Sequence, residues 1–161
     1  MHITLPKIEK ILKNSKIDYE IWPCDEKYAD TNAFCLHYNV APENSVNAIL
    51  VQDKKNFSNH VLCLVTALDK LDVNGIIRKR LKAKKATFVS AEETKKLTGM
   101  EIGGVTPVGL PVQISIWVDA KIMKLKYIIL GGGNRTSKLK IDPIFFNTLK
   151  QVTIVDGLSK K

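Results

Sequence analysis

The sequence predicts an α+β fold with a mixed, partly barrel-like β-sheet flanked by helices, and three observations carry that prediction. Helix-like and strand-like segments do not alternate strictly; they run α-β-α-β-β-α-β-α and then β-β-α-β. Several strand-like runs lie close enough to be hairpins, as SVNAILVQ (45–52) and HVLCLVTA (60–67) do across KKNFSN. The chain has 161 residues, enough for one sizeable core and short for two, so residues 1–161 are expected to form a single domain.

Each element has its own signal. A first helix is expected from Leu5 to about Asn14, with Thr4 as cap, Pro6 in the first turn and Leu5, Ile8, Ile11 and Leu12 as an apolar stripe. IDYEIW (17–22) alternates as a strand. Asp30 or Thr31 can cap a short helix to about Asn39 that buries Phe34, Cys35 and Tyr38. A helix is expected from about Val73 to Leu81, then a short strand TFVS (87–90). Ser90 opens a capping box with Glu93 three residues on, and Gly99 suits the C′ position of the helix that follows. A strand over 112–118 would put Val112, Ile114, Ile116 and Val118 on one face. KYIIL (126–130) is the next strand, Asp142 and Pro143 open a helix to about Lys150, and VTIV (152–155) closes as a strand.

Composition narrows the function classes. No apolar run approaches the ~20 residues that span a bilayer, and MHITLPKIEKILKNSK has no apolar core of a secretion signal, so no membrane partner and a cytoplasmic location are expected. Cys24, Cys35 and Cys63 are odd in number and irregular in spacing. That argues against a disulfide framework or a zinc site and for buried thiols. The three histidines sit near no cysteine or carboxylate cluster, so no metal or other cofactor is expected. The net charge is +9, which favours a polyanionic partner, nucleic acid being the commonest large one.

One basic stretch stands out. RKRLKAKK places Arg78, Lys79, Arg80, Lys82, Lys84 and Lys85 within eight positions. On a helix they would fan into a broad charged face, which is either simply solvated or a phosphate-binding patch for RNA.

Glycine is the other concentration. Seven of the nine glycines fall between Gly99 and Gly133, six of them in GGVTPVGLP (103–111) and LGGGNR (130–135). GGGNRTSK fails the spacing of a phosphate loop, because Thr136 sits where the second glycine belongs. There is no G-x-S-x-G, H-E-x-x-H or C-x-x-C. A glycine loop can still act without a side-chain nucleophile, since successive free N–H groups form a concavity for an anion or a developing oxyanion. The plainer alternative is a tight turn between a helix end and a strand.

These residues carry a resemblance. TG-x-x-x-GGVTPVGLP, a strand ending V-D-A, and a strand running into GGGNR-x-x-KL resemble the YbaK/prolyl-tRNA-synthetase-associated domain family over nearly the whole chain. The resemblance implies a single α+β domain that hydrolyses the ester between a wrong amino acid and the tRNA 3′ adenosine. Its substrates would be tRNA or aminoacyl-tRNA of the Cys- or Ala-tRNA(Pro) kind, and an aminoacyl-tRNA synthetase is a further expected partner. With no synthetase body in the chain, it would edit in trans. The resemblance makes Gly103, Gly104, Val105, Thr106 and Pro107 the loop that presents N–H groups to the substrate. It makes Gly131, Gly132 and Gly133 a second pocket wall and Asp119 a substrate-binding aspartate. Water would attack the ester, helped into place by a ribose hydroxyl.

One position departs from the pattern. The family usually carries a lysine where this chain has Asn47. A neutral amide still donates and accepts hydrogen bonds, but a lost charge-assisted bond is worth roughly 1.5–3 kcal/mol. Two readings follow: a deacylase that works without that lysine, or a non-hydrolysing module of the same fold that binds tRNA, aminoacyl-tRNA or another small ligand. Lys54 and Lys55 could replace the charge only if their loop folds back.

Overall fold

A computed structural model describes residues 3–160. Helix α1 (Pro6–Ser15) begins at Leu5, which has no side-chain cap, and buries Ile8 and Leu12 completely. Thr4 does not cap it. Its hydroxyl instead donates to the carbonyl of Gly132, fastening the chain's start to the second glycine loop. Strand β1 (Tyr19–Pro23) is shorter than its alternation predicts, and Ile17 before it packs on the core. Helix α2 (Thr31–Tyr38) buries Phe34 and Cys35; Tyr38 is 38% exposed, because its ring packs edge-on to His37 and Tyr28 at the surface.

Strands β2 (Val46–Asp53) and β3 (His60–Thr66) form the expected hairpin, antiparallel, with Asn47 opposite Val65 and Val51 opposite Val61. β4 (Lys70–Leu71) follows. The helix expected over 73–81 is broken. Val73–Ile77 forms a wide π turn in which Gly75 leaves helical geometry (φ −95°, ψ −105°), and only Arg78–Leu81 is α-helical (α3). The cause is local: the Asp72 carboxylate accepts the Ile76 N–H at 3.3 Å, and a side-chain acceptor inside the turn competes with the helical ladder.

Strand β5 (Ala86–Phe88) leads into α4 (Ala91–Thr98), which is capped as the sequence predicts. Ser90 Oγ accepts the Glu93 N–H at 3.2 Å, and Gly99 closes the helix at φ +74°. Strand β6 (Ser115–Asp119) starts three residues later than expected. Val112 is 71% exposed, in a turn closed by Ile114 N–H on Pro111 O, so it leaves the face expected of it, while Ile114, Ile116 and Val118 are buried. β7 (Ile128–Gly131) is followed by β8 (Ser137–Ile141), a strand the sequence reading leaves out. Pro143–Thr148 is a 3-10 turn instead of a helix and buries Phe145 and Phe146. β9 (Val152–Val155) and β10 (Ser159–Lys160) complete the chain.

Five strands form a mixed sheet in the order β5-β2-β3-β6-β9, with β3, β6 and β9 parallel. Three more form an antiparallel sheet, β1-β8-β7, and β4 pairs with β10. No closed barrel forms; the two larger sheets touch through one parallel bridge, Ser45 with Ile129. The main core lies between them and under α1, with Leu62, Leu64, Ile116, Leu130, Leu139 and Phe146 at its centre. Each such side chain contributes roughly 1.5–3 kcal/mol on burial. A second core fills the other face of the five-stranded sheet, beneath α3. All three cysteines are free and buried, and burial pushes the Cys63 thiol up to about 12. No helix among the described residues is long and apolar enough to cross a membrane.

Candidate active site

The two sheets separate along β2, and the gap between them is the site. β5 pairs with β2 only over Val51–Asp53, and at the other end Ser45 bridges to β7. Between these points the β2 edge from Val46 to Leu50 lines a cavity of about 450 Å³. The start of α2, the end of β5, the two glycine loops and β8 enclose the rest.

One wall is made of backbone. Gly133 N–H donates to Gly104 O at 2.5 Å. A Cβ on Gly104 would lie 2.2 Å from Asn134 O, and one on Gly131 would lie 2.6 Å from Val105 O. Only glycine lets two loops meet main chain to main chain this closely. Arg135 then staples the wall. Its guanidinium donates to Ile102 O at 2.6 Å and Glu26 O at 3.0 Å, and pairs with Asp30 at 3.3 Å.

The N–H groups of this wall are not equally free. Gly104 N–H is taken by Glu101 O at 2.8 Å and Thr106 N–H by Met100 Sδ at 3.4 Å. Thr106 and Pro107 are buried behind the cavity. Gly103 and Val105 line it, and among the described residues neither N–H has a hydrogen-bond partner. Gly131 lines it too, whereas Gly132 and Gly133 stand behind and hold Ser137, Thr4 and Gly104.

The facing wall is made of side chains. Asn47 is half-buried and its Oδ1 accepts the Thr31 hydroxyl, which anchors β2 to the first turn of α2. Lys54 and Lys55 do not fold back to it. They lie beyond the far end of β2, about 20 Å up the strand, where Lys54 N–H meets Lys85 O at 2.9 Å. Phe88, 57% exposed, and Ile102 form an apolar rim.

Lys138 on β8 is the residue sequence reasoning misses. It is only 6% exposed and lines the cavity. Its ammonium donates to Ala29 O at 2.5 Å and Gly103 O at 2.9 Å, and sits 5.4 Å from the Phe34 ring centre. Burial pulls its pKa below the ordinary 10.5. The signal was the SKLKI alternation itself, which puts Lys138 and Lys140 on the face opposite buried Leu139 and Ile141.

Two sets of expected residues lie elsewhere. Asp119 ends β6, 1% exposed, and accepts the Ser159 hydroxyl; it does not line the cavity. The basic stretch does not form one helical face, because α3 is a single turn. Arg78 is spent on Asn74 O and Ala83 O, and the Arg80 guanidinium lies 5.2 Å from the Trp117 ring centre. Lys79, Lys82, Lys84 and Lys85 are exposed, and the last three join Lys54 and Lys55 around the far end of the β2–β3 hairpin.

The sequence profile of the aminoacyl-tRNA editing domain matches residues 25–145, which run from just after β1 into the turn after β8 and so contain both glycine loops, β2 and Lys138. The chain belongs to the aminoacyl-tRNA editing domain family. Solved structures agree on the editing-domain fold. The crystal structure of the hypothetical protein APE2540 is similar with a TM-score of 0.81 and 22% identity, covering 96% of this chain and 99% of that one. A proposed trans-editing enzyme for prolyl tRNA synthetase is similar with a TM-score of 0.78 and 18% identity, covering 98% of each chain.

Proposed function

We propose that this editing domain is a trans-editing deacylase that hydrolyses the ester of a mischarged tRNA, of the Cys- or Ala-tRNA(Pro) kind. The observation that carries the reading is the wall of paired glycine loops, which places Gly103 and Val105, whose N–H groups have no partner among the described residues, at a half-open cavity. Water adds to the ester carbonyl carbon and the carbonyl oxygen becomes an oxyanion. These two N–H groups are the donors for it. The bond from carbon to the ribose oxygen then breaks, that oxygen takes the proton the water gives up, and amino acid and tRNA leave. An ester is already activated, so positioning and preorganised donors suffice without a side-chain nucleophile.

The apolar rim of Phe88 and Ile102 offers a surface to the terminal base, since base stacking on aromatic rings is worth ~1–3 kcal/mol. The lysines around the hairpin end supply phosphate contacts. The name of the prolyl relative supports action in trans beside an aminoacyl-tRNA synthetase.

A second reading rests on Asn47. Its Oδ1 is already engaged by Thr31 and it carries no charge, which favours a module that binds tRNA or a small ligand without cleaving it. A deacylation time course on a panel of mischarged tRNAs, with wild type and Asn47→Lys side by side, separates the two. Release by the wild type supports the deacylase and names its substrate. Release by the variant alone supports the binding module. Silence from both sinks the editing reading.

A further inference from the structure

Among the described residues Lys138 is the one buried cation in the cavity wall, and its surroundings do not explain it as packing. An ammonium has three N–H donors. Two go to Ala29 O and Gly103 O, and no third acceptor is present among the described residues. No carboxylate lies within ion-pair distance of it there either; the nearby Asp30 carboxylate pairs with Arg135. A charge removed from water without a partner charge is unfavourable for folding. Methionine or leucine would fill the same space beside Phe34 without that burden. A cation held this way, in the wall of a half-open cavity and bonded to the very loop that lines it, is placed for an anion or a polarised oxygen.

Asn47 lines the same cavity, neutral and tied to Thr31. The charge that the resemblance expects on β2 is therefore absent from β2, and a charge that no motif demands is present on β8.

We propose that Lys138 is the substrate-binding cation of this cavity: it holds the Gly103 carbonyl in place and gives its remaining N–H to the carbonyl or ribose oxygen of the aminoacyl-adenosine end, taking from β8 the part a lysine at position 47 would have played. This rests on the editing reading for the nature of the ligand.

The test uses two probes, because binding and cleavage must be separable. The first is 3′-alanylamino-3′-deoxyadenosine and its cysteinyl counterpart, amide analogues that cannot be hydrolysed as esters, titrated calorimetrically between pH 7 and 10. The second is the mischarged-tRNA time course. Lys138→Gln removes the charge and keeps a donor; Lys138→Arg keeps the charge. We expect Lys138→Gln to weaken analogue binding at least tenfold, and Lys138→Arg to lose much less. We also expect wild-type affinity to fall through an alkaline limb that is missing in Lys138→Gln and displaced upward in Lys138→Arg. The groups that face Lys138 and could shape that limb are Cys24 after β1, Asp30 and Cys35 at α2, and Arg135 before β8. A purely structural lysine would lower the melting temperature in Lys138→Gln but leave no charge-dependent limb in wild type alone.

Equal affinity and equal pH profiles in wild type and Lys138→Gln overturn the proposal, as does a wild type that binds neither analogue. If Lys138→Gln does not fold, Lys138→Arg decides: retained binding with the displaced limb supports the cation, and loss of binding in the folded protein overturns it. A wild type that binds the analogue through Lys138 but cleaves no tRNA leaves this proposal standing and sinks the deacylase.

Discussion

The cavity has two walls made of different material. On one side Gly104 and Gly131 press backbone on backbone, so that contact has no side chains to exchange. On the other, Val46 to Leu50 of β2 line the cavity, and Asn47 meets Thr31 in the first turn of α2 side chain to side chain. On the proposed function, the first wall would receive the oxyanion and the second would select what fits beside it. The difference teaches that main-chain packing leaves one wall little freedom to change, whereas the other is built from side chains that can be exchanged.

The comparison breaks first, if it is wrong, at Gly104. Gly104→Val would drive a Cβ against Asn134 O. That is a collision with main chain, so it exceeds the ~1–3 kcal/mol of ordinary overpacking and takes a large share of a typical ~5–15 kcal/mol stability. The expected result is loss of the cooperative thermal transition in circular dichroism. A folded variant would show that the wall has more slack than the geometry allows.

The opposite wall should yield selectivity without unfolding. Ala48 lines the cavity, and Ala48→Val narrows it. Preference between alanyl and cysteinyl esters should shift toward the smaller by roughly tenfold or more, the scale set by a methylene in an apolar pocket. Ratios of kcat/KM for the two substrates check it, and an unchanged ratio would remove β2 from the selecting wall. Asn47→Ala should be milder. It leaves the Thr31 hydroxyl without its acceptor, at a cost of about 1 kcal/mol, or a fall in Tm of about 2–4 °C for a chain of this size. Differential scanning calorimetry reads it, and no change would mean that the Thr31 bond does not hold the two elements together. The smallest effect lies outside both walls. Lys84→Ala with Lys85→Ala should reduce the slope of log affinity for tRNA against log salt by up to about two units. An unaltered slope would make those lysines a solvated surface.

How much of this was legible in the sequence depended on whether the signal was local. The α4 cap was readable because Ser90, Glu93 and Gly99 act within one helix. The β2–β3 hairpin was readable because its strands are neighbours in the chain. β8 was not, because SKLKI looks like a charged loop until α2 and the first glycine loop cover one of its faces. The same long-range contact hid Lys138. The break at Gly75 was missed because apolar spacing continues through it, while the Asp72 carboxylate that captures the turn lies outside the periodic pattern. The glycine pair was visible as a motif, but its meaning is a contact between residues almost 30 positions apart.

The buried ammonium of Lys138 also makes folding a proton-coupled event. Its pKa is lower in the folded chain than the 10.5 of an unfolded lysine. Between those two values the unfolded chain binds more protons than the folded one, so stability rises with pH across that window. Below the folded pKa the penalty of the buried charge is present in full; above 10.5 it is gone. Most basic proteins lose stability as their lysines discharge and their ion pairs fail. Here one lysine pulls the other way, and proton release measured on refolding at pH 9–10 would be larger in wild type than in Lys138→Gln.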